Sequence, residues 1–136
     1  VSKPVCVDGY ELLDGGVADS IPVQKMQELG FDKTVVILTQ PRDYVKKKNQ
    51  LMPLAKVSLR RYPAMIDAME HRHEHYNEEL EYIREKEERG ELFVIRPPKK
   101  IEVSKVERDR QSLLAAYRMG RETMKEPTRS LERFLK

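Results

Sequence analysis

Seven residues, Tyr62, Ile66, Met69, His73, Tyr76, Leu80 and Ile83, recur at alternating steps of four and three. That spacing places all seven on one stripe of an α-helix. Pro63 suits the first turn, where the N–H it lacks has no partner in any case. Gly90 supplies the stop. Glu78, Glu81, Arg84 and Glu85 fall on the opposite face, which is therefore a solvated one. No other stretch commits so much of the chain to one element. The stripe reads as core, and the alternative is that Tyr62, Met65, Met69 and Tyr76 line a groove for an acyl chain.

The segments around this helix read as β and α in mixture. Val5 to Val7 is a short strand, Asp8-Gly9 offers the positive φ angles of a tight hairpin turn, and Tyr10 to Leu13 is the return strand. Asp19 or Ser20 can cap a helix with Pro22 in its first turn and with Val23, Met26 and Leu29 on one face. Gly30 ends that helix. Thr34 to Thr39 is an unbroken β-favouring run, the pattern of a strand buried on both faces. Such a strand needs a parallel neighbour and covering helices, and the expectation is that these belong to an upstream part of the sheet. Residues 42–50 read as a basic loop. Leu92 to Ile95 is a second strand closed by Pro97-Pro98, and Ile101 to Val103 reads as one more extended segment. A helix from about Asp109 carries Leu113, Leu114 and Tyr117. Thr128 can cap a last helix containing Leu131, Phe134 and Leu135.

Charge excludes little and hydropathy excludes more. The 136 residues carry 26 basic and 23 acidic side chains, a net charge of +3, too balanced to argue for nucleic acid. No run approaches the roughly 20 apolar residues of a membrane-spanning helix. The single cysteine, Cys6, allows no internal disulfide, gives no sign of an oxidising compartment, and sits between valines where a buried small hydrophobe fits. A cytoplasmic location is the expectation. The first residue is Val1, which reads as a processed chain or a fragment of something longer, with any signal peptide upstream.

Chemistry concentrates in Tyr10-Glu-Leu-Leu-Asp14-Gly15-Gly16-Val-Ala-Asp19-Ser20-Ile-Pro22. An apolar strand delivers an aspartate straight into two glycines. Glycine permits a reversal without Cβ clashes and lets another group approach the backbone closely. Open α/β folds build their sites at such strand ends. The plainer reading is that Asp14 only makes a turn. Asp8-Gly9 already accounts for the hairpin, so Asp14 is a separate feature.

The run from Pro4 through Asp14-Gly15-Gly16 to Val23 resembles the segment around the catalytic aspartate of patatin-like phospholipases. There a strand carries Asp-Gly-Gly or Asp-Gly-Ala, followed by a loop that contains Asn or Asp and ends in proline. The Phe31 to Thr39 strand, Tyr76-Asn77 on the long helix, Phe93 to Pro97, and Glu107-Arg108-Asp109 leading to Tyr117-Arg118-Met119-Gly120 are similar to a bacterial subgroup with an extended C-terminal region. Asp19-Ser20 departs from the Asn-Asn of plant patatins. The chain has no Gly-x-Ser-x-Gly nucleophile elbow and no glycine-rich oxyanion loop, which in that family precede the aspartate and here would lie upstream of Val1.

The resemblance implies an α/β chain. Residues 1–41 would be the C-terminal part of a patatin-like α/β/α hydrolase core, and 42–136 a helix-rich appended region. It implies ester hydrolysis by a Ser/Asp dyad with Asp14 as general base, Gly15 and Gly16 as motif backbone, and neither cofactor nor metal. The implied partners are a lipid or small ester substrate and the upstream core of the same protein. The alternative is a non-catalytic module that regulates the hydrolase or dimerises it, with a second copy of the chain as partner. His71 and His75 share a helix face as paired metal ligands do, but His73 lies about 160° away around the axis. The three read as solvated or singly hydrogen-bonded side chains. Lys46-Lys47-Lys48, Arg60-Arg61 and Lys99-Lys100 read as solvated clusters. Weak contact with anionic lipid headgroups is their functional alternative, and the lack of interleaved aromatics argues against nucleic acid.

Overall fold

The computed structural model describes residues 4–104, 106–125 and 127–136. In chain order it contains β1 (Val5–Val7), β2 (Tyr10–Leu12), a 3-10 turn (Gly15–Val17), α1 (Val23–Glu28), β3 (Thr34–Ile37), α2 (Met52–Ser58), α3 (Pro63–Glu88), β4 (Leu92–Ile95), α4 (Arg110–Lys125) and α5 (Thr128–Leu135). The class is mixed α/β, with two two-stranded sheets. Two compact units share the chain, one from Val1–Pro22 and Val45–Tyr82, the other from Val23–Tyr44 and Ile83–Lys136.

In the first unit, β1 and β2 pair antiparallel, with Val5 opposite Leu12 and Val7 opposite Tyr10. Asp8 (φ 50°) and Gly9 (φ 83°) make the turn, both in the left-handed region that a two-residue hairpin demands. Both faces of the hairpin are open, and Tyr10 is 72% exposed. Cys6 is exposed with it, contrary to the expected burial, because among the described residues the hairpin is left exposed along both strands, with the Tyr62 hydroxyl reaching Glu11 at 2.6 Å. α2 was not legible as an element. Its buried residues Met52 and Ala55, with Leu59 just beyond, follow helical spacing, but Pro53 in its first turn and its short length mask the signal. The long helix follows the expected stripe. Leu80 is buried, and Tyr62, Ile66, Met69, His73 and Tyr76 are all partly covered.

The second unit is organised by a parallel pair. β3 and β4 run side by side with Thr34 opposite Leu92 and Ile37 opposite Ile95, and the Leu38 N–H continues the ladder to the Ile95 carbonyl at 2.8 Å. The parallel neighbour expected upstream is thus β4, brought back by the crossover through α2 and α3. Strand character was visible in each segment, but pairing is a tertiary matter. Full burial of the Thr34–Thr39 run does not occur. Val36 and Leu38 are buried while Ile37 is 71% exposed, because among the described residues nothing covers the face that Ile37 presents. Met26 of α1 and Leu29 just beyond its end are likewise exposed, and Val23 is the buried residue of α1.

The helix ends follow local chemistry. Gly90 (φ 72°) closes α3, with the Gly90 N–H bonded to the Glu87 carbonyl at 3.0 Å and the Glu91 N–H to the Lys86 carbonyl at 2.9 Å. That pair of bonds satisfies carbonyls the helix leaves orphaned. Asp109 caps α4 by accepting the Ser112 N–H at 2.7 Å. Two expected caps are not made. Thr128 is the first residue of α5 and donates its hydroxyl back to the Met124 carbonyl at 2.7 Å, while Pro127 holds the cap position. Ser20 turns its hydroxyl to the Gly16 carbonyl. Ile101–Val103 forms no strand.

Candidate functional site

Asp14 follows β2 and Leu13 and is exposed to solvent. Its backbone is extended (φ −51°, ψ 122°), as at a helix N-cap, and the chain turns immediately into Gly15–Val17. Asp14 Oδ1 accepts the Gly16 N–H at 2.8 Å, and the Asp14 carbonyl accepts the Val17 N–H at 3.0 Å. The Gly15 carbonyl takes the Ala18 and Asp19 N–H groups, both at 3.0 Å. The turn is therefore closed by its own backbone, with one carboxylate oxygen built into it. Oδ2 takes no part in that bond.

The two glycines serve different ends. Neither has a left-handed φ, so the reversal is right-handed and open to any L-residue on backbone grounds. A Cβ on Gly15 would meet nothing within 4 Å. A Cβ on Gly16 would lie 3.2 Å from Asp14 Oδ1 and 3.6 Å from Arg72 Nη2. Close approach, one of the two reasons for glycine here, thus applies at Gly16 alone.

Helix α3 meets this loop at two places. Arg72 donates its Nε–H to the Gly16 carbonyl at 2.6 Å, where the Ser20 hydroxyl also donates at 2.8 Å. Two turns further along the same face, Glu79 Oε1 accepts the Ser20 N–H at 3.3 Å. Glu79 Oε2 is buried with no N–H or hydroxyl donor in reach among the described residues. Burial first, and then the Asp19 carboxylate beside it, push the Glu79 pKa up to about 7, against the pull of the Ser20 and Ile21 amides. A proton kept on Glu79 relieves the repulsion between the two neighbouring acids, Glu79 and Asp19. Sequence reasoning found neither Arg72 nor Glu79. Their seven-residue separation marks a common helix face, but only the folded loop shows what that face meets.

Other candidates have structural partners. His71 Nδ1 lies 3.0 Å from the Asp67 carbonyl, and His73 Nδ1 lies 3.1 Å from the Glu70 carbonyl. Among the described residues no three His, Cys, Asp or Glu side chains converge as they would on a metal ion. In the basic loop, Lys46 N–H donates to Asn77 Oδ1 at 2.8 Å and Asn77 Nδ2 donates back to the Lys46 carbonyl at 3.1 Å. Lys46 Nζ stands 4.4 Å above the Tyr76 ring, and Lys48 and Lys56 flank Glu70 at 3.6 and 2.8 Å. Those lysines hold the Glu70 carboxyl below its ordinary pKa, Lys56 most of all. Two of the three clustered lysines are thus engaged on α3.

The second unit has a cleft of about 650 Å³ past the carboxyl ends of β3 and β4, bordered by Arg42, Glu87, Ile95, Arg96, Met119 and Thr123. Arg96 pairs with Glu87, and Arg42 reaches Glu87 at 3.5 Å and Glu88 at 2.9 Å. Both arginines are therefore already matched by carboxylates.

A family model described as a domain of unknown function, DUF6363, matches residues 62–136, and the chain belongs to that family. No curated protein and no solved structure matches the chain. The matched region begins at the start of α3, so Arg72 and Glu79 lie inside it and Asp14 lies outside it.

Proposed function

We propose that this chain is the C-terminal part of a patatin-like serine acyl hydrolase acting on lipid or phospholipid esters. Asp14 is its general base, and the nucleophilic serine and oxyanion hole lie upstream of Val1. The observation that carries this reading is the placement of Asp14. Its carboxylate is exposed at a strand end, held through Oδ1 by the Gly16 N–H. The pattern of residues from Pro4 to Val23 supplies the chemistry to go with it.

In the proposed reaction the serine hydroxyl attacks the ester carbonyl and Asp14 takes its proton directly. The tetrahedral intermediate collapses, the proton passes to the leaving alcohol, and water repeats the sequence on the acyl-enzyme. A base held by the Gly16 N–H keeps a fixed orientation, which a direct Ser/Asp transfer needs. No histidine takes part. His71, His73 and His75 all lie on α3, where His71 and His73 meet carbonyls of their own helix and the His75 ring stands beside that of His71.

The test uses the full-length protein and a short-chain nitrophenyl ester. Asp14→Asn keeps the cap and the turn but cannot take a proton, so kcat should fall at least about 10²-fold with KM little changed. Asp8→Asn, at the hairpin turn, should leave both constants as they were. Equal effects of the two substitutions, or none from Asp14→Asn, would remove Asp14 from the mechanism. The 136-residue chain alone should show no turnover above background.

A second reading, a regulatory or dimerisation module, draws on one observation. Leu113, Leu114 and Tyr117 of α4 are all exposed, on a helix that also carries Arg110, Arg118, Arg121, Glu122 and Lys125. A concentration-dependent dimer that Leu114→Asp dissolves would favour it.

A further inference from the structure

Gly16 links α3 to the Asp14 carboxylate. Its N–H side holds Asp14 Oδ1 at 2.8 Å, and its carbonyl side is held by Arg72 Nε at 2.6 Å. The next peptide plane therefore cannot rotate without breaking the arginine bond. The Gly16 amide, which aims the carboxylate, belongs to a turn of three residues too short to be rigid alone. The loop is fixed again at its far end by Glu79 on Ser20, and Ser20 returns to the same Gly16 carbonyl. We infer that Arg72 is a positioning residue for the Asp14 base, so that the region shared with the DUF6363 family takes part in building the site from which its own sequence is absent.

This inference rests on the proposed role of Asp14 and adds to it. The guanidinium bonds the Gly16 carbonyl and not the carboxylate, so it acts through the Gly16 peptide. Arginine suits the task because its charge never leaves near neutral pH and its planar fork fixes the direction of the Nε–H bond. The carbonyl accepts from a cation on one side and a hydroxyl on the other, which fills both of its lone pairs. Glycine at position 16 suits the same geometry, since a Cβ there would crowd the carboxylate at 3.2 Å from Asp14 Oδ1 while meeting the guanidinium at an ordinary 3.6 Å.

Two measurements test it. In the 136-residue chain, Arg72→Gln should speed amide hydrogen exchange at Gly16 and Val17 by about tenfold or more, while Leu80 and Ile83 in the same helix keep their protection. In the full-length protein, Arg72→Gln should lower kcat on the nitrophenyl ester by about tenfold with KM nearly constant, the pattern of a misplaced base. Arg72→Lys, which retains a cationic donor, should recover much of both. Unchanged exchange at Gly16 and Val17 overturns the inference. So does a loss of kcat that comes with equal loss of protection at Leu80 and Ile83, because that is a folding defect. An Asp14→Asn protein that is inactive beside a fully active Arg72→Gln overturns the inference and leaves the catalytic reading in place. An active Asp14→Asn overturns the catalytic reading, and the role of Arg72 falls with it.

Discussion

A Cβ on Gly16 would stand 3.2 Å from Asp14 Oδ1, whereas one on Gly15 would meet nothing within 4 Å. Because neither glycine has a left-handed φ, alanine at either position is free of backbone strain, and the two substitutions isolate the effect of the contact. Gly15→Ala should leave the rate alone and stabilise by about 0.4–1 kcal/mol, through the unfolded chain. Gly16→Ala should displace the carboxylate by a few tenths of an ångström and lower kcat of the full-length protein by roughly 3- to 30-fold. Equal rates for the two variants would show that the contact does not matter. Glu79 gives a pH prediction at the same scale. In the folded chain it keeps its proton up to about pH 7, against an ordinary value of 4.5. Between those values the folded state binds more protons than the unfolded state, so this group's contribution falls as pH rises through the window and is fully present only below it. Melting temperatures at pH 5 and pH 8 should therefore differ more for the parent than for Glu79→Gln. A parallel response of the two proteins would show that the acid pair carries no such linkage.

At the scale of elements, α3 is the piece on which other segments depend. Its 26 residues bury Leu80 and Ile83, bond the Lys46 backbone through Asn77, and hold the Asp14 loop through Arg72 and Glu79. Ile83 has 0% of its surface exposed, so Ile83→Ala should destabilise by about 2–5 kcal/mol, from lost transfer energy plus the cavity left behind. Glu81→Ala, two residues away on the exposed side, should stay within about 0.5 kcal/mol of the parent. Urea unfolding followed by circular dichroism checks both values, and similar midpoints for the two variants would contradict the burial assigned to Ile83.

For the whole molecule, the sequence stripe led to the long helix without error, yet it could not show which strands the helix joins. Leu92–Ile95 and Thr34–Ile37 both read as strands, but their parallel pairing depends on a crossover of more than fifty residues. The histidines illustrate the same limit. Their spacing offers His71 and His75 as a pair, and their rings do stand 6.5 Å apart, while His71 and His73 each turn Nδ1 to a carbonyl of the preceding helical turn. Chelation should thus leave the melting temperature of the 136-residue chain unchanged. A drop reversed by stoichiometric zinc would establish a metal site on α3.

What the sequence determined by itself is local. Asp8-Gly9 set the hairpin because those residues tolerate positive φ, Gly90 ended α3 for the same reason, and the step of four and three fixed the face that Leu80 and Ile83 bury. Asp14-Gly15-Gly16 was visible as a strand end entering a turn. Tertiary structure alone decided that Ile37 and Cys6 are exposed, because burial depends on which neighbours arrive and not on hydrophobicity. It also decided that Arg72 and Glu79, more than fifty residues downstream, close on the loop after Asp14. A hydrogen bond to a backbone carbonyl leaves no residue pattern behind, since every residue has one to offer.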